Sequence, residues 1–307
     1  MTGMTRRSFM GTAGLAAAAP ALGPMARGAA PQTPIDVESD VVFGDGGGTE
    51  LKLDIYKPPA GTEKRMATIH IHGGGFRAGS KETLNERILP YAERGYVAIA
   101  SQYRLTGEAR WPAQIHDVKA AIRWVRAHAD DLGVMEDRIA IAGYSAGGQL
   151  ALFAAGTNDR AEFEGEGGTR GVSSRVAACF AYYPGTEVTM GRGGNANPLL
   201  PDGADEATHV AASPTTYVND FVPTVLFHGT EDTTIPPTSS ERFYRMLQDA
   251  GIPSELHVFA GVPHVFDSHP EFAQAAAQLS DFFIDRYIIN PRTYPPFGAG
   301  GGGRGGA

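Results

Sequence analysis

Hydrophobic and polar positions follow two periods along this chain, and their order predicts an α/β protein. Residues 36–43 and 50–56 alternate apolar with polar side chains around the Gly-rich stretch 44–48, which predicts an antiparallel hairpin. Short apolar runs predict further strands at residues 66–71, 96–100, 139–142, 176–183, 223–228 and 255–259. Apolar residues at helical spacing predict helices at residues 84–92, 112–125, 145–155, 238–250 and 271–289. Because strands and helices alternate after the hairpin, we expect one domain with a mostly parallel central sheet and helices on both faces.

Two polar segments interrupt this alternation. Residues 157–175 are rich in glycine and carry several acidic side chains, whereas residues 185–220 are rich in Gly, Pro, Asn and Thr. Loops at the C-terminal edge of such a sheet often build the substrate cleft. Plain solvent-exposed loops fit these compositions equally well, so the sequence leaves both interpretations open.

Composition narrows the classes of partner. The chain is 42% hydrophobic and 20% charged, as is typical of a globular protein, and its formal net charge of −8 argues against nucleic acid as a partner. The single cysteine, Cys179, excludes an intramolecular disulfide and a cysteine-based metal cluster. Because Cys179 lies in an apolar run, we expect a buried structural thiol. The oligomeric state is left open.

The N-terminal segment has the pattern of an export signal. Arg6 and Arg7 form a twin-arginine signature, and an uncharged, mildly apolar segment follows at residues 11–22, too short to span a bilayer comfortably. Small residues at 19–21 and at 26–28 both suit cleavage, and the sequence does not choose between them. We therefore expect export to the periplasm or the extracellular space through a twin-arginine-type signal peptide.

The chain then divides into three parts. Residues 1–30 are the predicted signal peptide, residues 31–290 the folded α/β domain, and residues 291–307 a Gly/Pro-rich tail that we expect to be disordered. No cysteine lies near the cleavage region, which argues against a lipid anchor there. We expect no stable membrane anchor.

The most informative local pattern is Gly-x-Ser-x-Gly at residues 143–147, between a predicted strand and a predicted helix. A serine on so sharp a turn is forced into a strained backbone conformation that exposes its hydroxyl, and the glycines keep side chains out of the crossing. An ordinary Gly-rich turn is the less favoured alternative, because a strand precedes the pattern and a helix follows it. Ser145 is therefore the candidate nucleophile.

A serine hydroxyl needs a base to remove its proton and a carboxylate to orient that base, in the chain order Ser, acid, His for this kind of turn. After Ser145, a predicted strand runs into an acidic turn that holds Glu231 and Asp232. His264 lies alone in the loop after the next strand. The remaining histidines considered lie on a strand, on a helix or at a helix start: His257, His116, His128 and His269. His264 is therefore the candidate base.

Residues 72–76, His-Gly-Gly-Gly-Phe, follow the third predicted strand and suit an oxyanion hole. Glycines let backbone N–H groups approach a substrate oxygen whose charge develops only in the transition state. We assign the donors to Gly74 and Gly75, with Ala146 from the serine turn, although spacing does not decide whether Gly73 replaces Gly75. His72 is expected to anchor this loop.

Metal and nucleotide sites are not favoured. His70 and His72 share one strand face, but no third ligand clusters with them at suitable spacing. Residues 74–81 resemble a phosphate-binding loop only faintly, because the order is Gly-Ser-Lys and the lysine is misplaced. The proposed chemistry needs no cofactor and no metal.

Together these motifs resemble those of α/β-hydrolase esterases with an HGGG loop, similar to hormone-sensitive-lipase-like and bacterial feruloyl/acetyl-xylan esterase-like enzymes. The matching stretches are residues 72–81, 143–148, 229–232 and His264, within a resemblance that covers about residues 40–290. The resemblance favours Asp232 over Glu231, because this family places an Asp in the Gly-x-x-Asp turn. No large helical cap precedes the domain, which favours the feruloyl/acetyl-xylan branch and an open cleft.

The resemblance implies hydrolysis of carboxylic esters with short or aromatic acyl groups, such as acetyl or feruloyl groups on polysaccharide, with a small-molecule or polysaccharide-linked substrate. An arylformamidase-like amide hydrolase and a prolyl-oligopeptidase-type peptidase are the alternatives, although about 110 residues before Ser145 leave no room for a propeller domain. A catalytically inactive binding module is disfavoured, because no triad member is missing. The aromatic side chains considered for an acyl pocket, for which core packing is an equal alternative, are Phe76, Tyr103, Trp111 and Tyr182.

Overall fold

The predicted sheet is present and has eight strands within the part of the chain that the structure describes. The protein is described by a computed structural model that covers residues 34–188 and 198–294, so the predicted signal peptide and residues 295–307 of the predicted tail lie outside the described residues. The strands are β1 (Asp36–Asp45), β2 (Glu50–Lys57), β3 (Ala67–Ile71), β4 (Val97–Ser101), β5 (Ile139–Tyr144), β6 (Ala178–Tyr182), β7 (Thr224–Gly229) and β8 (Ser254–Phe259). Each observed strand overlaps a predicted one.

The strand order across the sheet is β1-β2-β4-β3-β5-β6-β7-β8. The β1–β2 hairpin is antiparallel, β2 pairs antiparallel with β4, and the other neighbours pair in parallel. The fold class predicted from the alternation of elements is therefore confirmed. The serine turn follows β5, a central strand, and the loops after β7 and β8 open at the same C-terminal edge of the sheet.

Helices cover both faces of the sheet. Successive strand residues point to opposite sides, and the central strands carry apolar residues on both sides, so each face needs a covering layer. The helices are α1 (Asn85–Glu93), α2 (Ala113–Ala127), α3 (Ala146–Gly156), α4 (Glu206–Ala211), α5 (Thr238–Asp249) and α6 (Pro270–Ile284). On one face Ile69 and Ile141 pack with apolar residues of α2, α3 and α5. On the other face Ala140 and Ala142 pack with apolar residues of α1 and α6. No helix within residues 34–188 and 198–294 is long and apolar enough to cross a membrane.

The structure differs from the predicted elements in two places. Helix α6 ends at Ile284, five residues before the predicted end, and the chain continues as a π-helical turn over Asp285–Ile289. Helix α4 lies inside the 185–220 segment, where the sequence predicted no helix. This helix has no buried residue and hence no apolar stripe to recognise; Asp205 caps it by accepting a hydrogen bond from the Thr208 N–H at 2.8 Å.

The segment at residues 157–175 is fastened to α2. Glu164 accepts hydrogen bonds from Lys119 Nζ at 2.9 Å and from an Arg123 Nη atom at 2.7 Å, and both basic side chains are buried. Gly168 lies beside Gly44 at the tip of the hairpin. None of the described residues of this segment or of the 185–220 segment lines the cleft at Ser145, so the idea that they form that cleft finds no support.

Lys81, which stands where a phosphate loop would have its Ser or Thr, is a structural cation. Its side chain is 2% exposed, and Nζ lies 2.8 Å from Asp54 Oδ1, 3.0 Å from Asp40 Oδ1 and 2.8 Å from Glu82 Oε1. Burial alone would lower the pKa of Lys81, but its hydrogen bonds to the three carboxylates outweigh burial and raise it. Lys81 therefore remains charged and ties the hairpin to the segment after the HGGG loop.

We predict that Lys81→Met lowers the free energy of unfolding by about 3 kcal/mol, because it leaves the buried carboxylate of Asp54 without its cation. The matched control is Lys52→Met on β2, since Lys52 is 36% exposed and pairs with Glu50 at 3.4 Å. That surface pair is worth about 0–1 kcal/mol. Urea unfolding of both variants measures the difference, and equal losses would contradict the role given to Lys81.

Candidate active site

Ser145 sits in a strained turn between β5 and α3. Its backbone has φ 57° and ψ −116°, a conformation that few residues other than glycine adopt. The Ser145 N–H donates to the Tyr182 carbonyl at 3.0 Å, which fixes the turn to the neighbouring strand β6. The serine side chain therefore stands at the C-terminal edge of the sheet, as the Gly-x-Ser-x-Gly pattern predicts.

The turn depends on a close crossing at Gly147. A Cβ atom on Gly147 would lie 2.1 Å from the Ile71 carbonyl oxygen and 2.4 Å from that of His72. No side chain fits at such distances, so only glycine lets the first turn of α3 lie against the end of β3. This crossing brings Ser145 beside the loop that follows β3.

Ser145, His264 and Asp232 form one hydrogen-bonded row. The His264 Nε2 atom lies 2.9 Å from Ser145 Oγ, and His264 Nδ1 lies 2.6 Å from Asp232 Oδ2. Because an ionised carboxylate only accepts, Nδ1 carries the proton in this arrangement, and the lone pair of Nε2 faces the serine hydroxyl. Glu231, the rival acid, has an exposed side chain and takes no part in the row.

The carboxylate of Asp232 is buried and surrounded by donors. Its Oδ1 atom accepts hydrogen bonds from the N–H groups of Thr234 and Ile235, each at 2.9 Å. Its Oδ2 atom receives His264 at 2.6 Å and lies 3.2 Å from Nε2 of a second histidine, His228. These contacts fix the orientation of the carboxylate and hence of His264.

His228 was not among the residues predicted for the site. Its Nδ1 atom lies 2.8 Å from Ser240 Oγ, and its Nε2 atom lies 2.8 Å from the Ile235 carbonyl oxygen. Because a carbonyl oxygen only accepts, the Nε2 proton points toward Ile235 and Asp232, and Ser240 donates to Nδ1. Burial lowers the pKa of His228, so the ring stays neutral behind the acid. No local pattern marks His228, because it lies within the apolar strand β7 and meets Asp232 only through the turn that follows.

The HGGG loop lies directly against the serine turn. A Cβ atom on Gly73 would lie 2.8 Å from the Tyr144 carbonyl oxygen and 3.2 Å from Ser145 Cβ, so Gly73 packs on the turn itself. Gly74 and Gly75 adopt positive φ angles of 116° and 60°. No hydrogen-bond acceptor in the described part of the chain takes the N–H groups of Gly73, Gly74, Gly75 or Ala146. The three predicted donors are therefore free, and because Gly73 is equally free, the choice between Gly73 and Gly75 stays as the sequence left it.

His72 anchors this loop, as expected. Its ring is buried, stacks on Tyr103 with ring centroids 4.4 Å apart, and places Nδ1 2.8 Å from the Gly73 carbonyl oxygen. The Tyr103 hydroxyl in turn donates to the His72 carbonyl at 3.2 Å. Burial lowers the pKa of His72, so the imidazole is neutral and serves as a packing and hydrogen-bonding group.

A cleft of about 380 Å³ opens over Ser145 and His264. Its aromatic walls are Tyr144 and Tyr183, and the ring of Tyr183 meets that of His264 edge to face at 4.5 Å. The four aromatic residues considered from the sequence do not line it. Trp111 packs against Phe153 with centroids 4.8 Å apart, and Tyr103 stacks on His72, so the core-packing alternative holds for them.

No metal site accompanies these residues. Within residues 34–188 and 198–294, no three His, Cys, Asp or Glu side chains come together as metal ligands. His70 instead lies between Tyr144 and Thr68, each at 3.0 Å, and burial lowers its pKa to about 3. Cys179 is buried, as expected for a structural thiol.

Comparison with known proteins gives a family and several relatives. The sequence matches the BD-FAE family over residues 53–247. It is 28% identical over 271 residues to the probable carboxylic ester hydrolase LipM of Mycobacterium tuberculosis, covering 81% of this chain and 61% of LipM. It is 32% identical over 261 residues to the esterase LipQ of the same organism, covering 80% of this chain and 61% of LipQ. The chain thus spans about three-fifths of the length of these two relatives.

A solved structure has the same fold over nearly its full length. The propionate-bound structure of Est2, a thermophilic esterase from Thermogutta terrifontis, superposes with a TM-score of 0.68 at 29% sequence identity. The alignment covers 86% of this chain and 97% of Est2. The sheet and its surrounding helices are therefore those of an α/β-hydrolase.

We predict that His228→Leu lowers kcat/KM for p-nitrophenyl acetate about tenfold, because leucine has no hydrogen-bond donor to replace the Nε2–H beside the charged oxygen of Asp232. The matched control is His257→Leu on β8, since the hydrogen bond of His257 in the described structure goes to Glu255, at 3.0 Å, and not to the residues around Ser145. Kinetics and urea unfolding are measured together. Unchanged turnover in the His228 variant, or an equal loss in the control, would refute a role in positioning the acid.

Proposed function

Because this chain belongs to the BD-FAE family, we propose that it is a serine hydrolase that cleaves carboxylic esters through an acyl-enzyme on Ser145. The observation that carries the proposal is the hydrogen-bonded row from Ser145 through His264 to Asp232, with contacts of 2.9 and 2.6 Å. The esterase names of LipM, LipQ and Est2 support the same class of reaction. No cofactor is needed for it.

In the first half of the proposed reaction, Ser145 Oγ attacks the ester carbonyl carbon while His264 Nε2 takes the hydroxyl proton. Asp232 stabilises the imidazolium that results and keeps its ring in place. The tetrahedral intermediate then collapses, and His264 returns the proton to the departing alcohol oxygen. In the second half, His264 removes a proton from water, which attacks the acyl-enzyme. His264 then returns this proton to Ser145 Oγ as the acyl–oxygen bond breaks and the acid leaves.

The negative oxygen of each tetrahedral intermediate is assigned to the N–H groups of Gly74, Gly75 and Ala146. The support is that these three donors have no partner among the described residues and flank the serine. Donors that are already in place cost no reorganisation when the charge develops, and each is worth on the order of 10²–10³ in rate.

For the substrate we propose short or aromatic acyl esters, such as acetyl or feruloyl groups on polysaccharide. The open cleft of about 380 Å³ and the resemblance to feruloyl/acetyl-xylan esterases support this class. Propionate, a short acid, is bound in the Est2 structure. An arylformamidase-like amide hydrolase and a prolyl-oligopeptidase-type peptidase use the same triad, so the test must include an amide.

We predict that the protein releases p-nitrophenol from acetate and butyrate esters faster than from octanoate, and that Ser145→Ala abolishes the release. Asp232→Asn should reduce kcat by about 10⁴, because an amide favours the wrong histidine tautomer. Ser173→Ala, an exposed serine remote from the cleft, is the control and should leave turnover unchanged. Cleavage of p-nitroacetanilide with no cleavage of the esters would contradict the esterase proposal and favour an amide hydrolase.

We also propose that the protein is exported, periplasmic or extracellular, on the basis of the twin-arginine pattern alone. Arg6→Lys combined with Arg7→Lys should leave the precursor in the cytoplasmic fraction, because the pathway reads the arginine pair. Arg27→Lys, in the same segment, is the matched control and should leave export intact. Equal export of all three forms in cell fractionation would contradict this proposal.

A further inference from the structure

Among the residues that the structure describes, one arginine lines the cleft over Ser145 and His264. Arg87 lies in the first turn of α1, and its side chain lines the same cleft as Ser145 and His264 while keeping 17% of its surface exposed. Its guanidinium carbon lies 5.6 Å from the centroid of the Tyr144 ring, so an aromatic face supports the group. Neither the proposed attack nor the proposed oxyanion hole uses this residue.

The positive charge of Arg87 is only partly compensated by acidic groups of the protein. Its Nε atom lies 3.4 Å from Asp267 Oδ2, an ion pair that is not a hydrogen bond. The other carboxylate oxygen of Asp267, Oδ1, accepts a hydrogen bond from the Tyr183 hydroxyl. Neither terminal nitrogen of Arg87 has an acceptor in the described part of the chain. The outer edge of the guanidinium is therefore free toward the cleft.

The charge of the cleft has one sign. Among the described residues that line it, Arg87 is the only Lys, Arg, Asp or Glu, although the whole chain carries a net charge of −8. Asp232 lies behind His264, and Asp267 lies behind Tyr183 with 2% exposure. Burial is the largest single effect and would lower the pKa of Arg87, but the electrostatic contributions of Asp267, Tyr183 and Tyr144 together outweigh it and raise the pKa, so the cation persists.

A guanidinium has two edges that can each bind a carboxylate. Here Asp267 faces the Nε side, and the two terminal nitrogens remain as a fork of N–H donors. Such a fork matches the two oxygens of a carboxylate, with hydrogen bonds roughly twice as strong as neutral ones. The surrounding glycine and aromatic surfaces offer no competing acceptor of that kind.

We propose that Arg87 binds a carboxylate of the substrate, so that this cleft prefers esters that also carry a free carboxylate group. The proposal rests on the esterase function proposed for Ser145 and adds a substrate class to it. Asp267 serves as the positioning residue that holds the Nε side of Arg87. The carboxylate can belong to the acyl part or to the alcohol part of the ester, and matched substrates separate the two.

The test uses two pairs of esters that differ by one charge. Mono-p-nitrophenyl glutarate against p-nitrophenyl valerate places the carboxylate in the acyl part. 4-Acetoxybenzoate against its methyl ester places it in the alcohol part. We expect the wild type to prefer the charged member of one pair. Arg87→Met should lower the charged-to-neutral ratio of kcat/KM for that pair about tenfold to a hundredfold, mainly through KM.

Matched variants separate recognition from folding. Arg175→Met removes an exposed arginine that pairs with Asp159, also at 3.4 Å, and should leave both ratios unchanged. Arg87→Lys keeps the charge without the fork and should fall between wild type and Arg87→Met. Arg87→Met combined with Asp267→Asn avoids an unpaired buried carboxylate, and it should show the same loss of ratio with the fold retained.

The outcomes distinguish the two proposals. The carboxylate site is overturned, and the esterase proposal stays intact, if three results occur together. The neutral esters are turned over in a Ser145-dependent way, the wild type prefers neither charged ester, and Arg87→Met loses activity equally toward both members of each pair. Failure to cleave any of the four esters would overturn both proposals. A ratio that falls only for one pair supports the site and assigns the carboxylate to that side of the ester.

Discussion

The close approach of α3 to the end of β3 is the constraint on which the site depends. The missing side chain of Gly147 lets the helix begin against the carbonyl oxygens of Ile71 and His72. That contact holds Ser145 at φ 57° and at the same time brings the HGGG loop next to it. The proposed nucleophile and the proposed oxyanion donors therefore come from one crossing of backbone, before any other side chain is considered.

A second layer of polar contacts orients His264, the proposed base. Asp232 receives the backbone N–H groups of Thr234 and Ile235, and His228 stands behind it with Ser240 as its own partner. These groups come from the end of β7, from the loop that follows it and from the first turn of α5. The histidine of the row is thus held from behind by a buried network, whereas its front faces the cleft. Such a network costs little reorganisation during proton transfer.

The sequence predicted the elements whose pattern is local. The strand periods anticipated the sheet, the Gly-x-Ser-x-Gly turn and chain order singled out Ser145 and His264, and the family resemblance favoured Asp232 as the acid. These three side chains meet in the structure at 2.6 and 2.9 Å. What it missed depends on which side chains meet after folding. Arg87 and Asp267 are 180 residues apart, as their numbers show, and no local pattern links them. The four aromatic residues considered for the cleft pack elsewhere, because composition does not tell which face of a loop an aromatic ring occupies.

The most direct test of the central claim is to identify the residue that an organophosphate labels. Paraoxon transfers a diethylphosphoryl group to a serine whose proton is removed by a neighbouring base, so it reports on the proposed nucleophile. After incubation with paraoxon, peptide mapping by mass spectrometry should find one diethylphosphoryl group, on Ser145, and His264→Ala should slow its formation by orders of magnitude. A label on another residue, or labelling of Ser145 at the same rate without His264, would contradict the account.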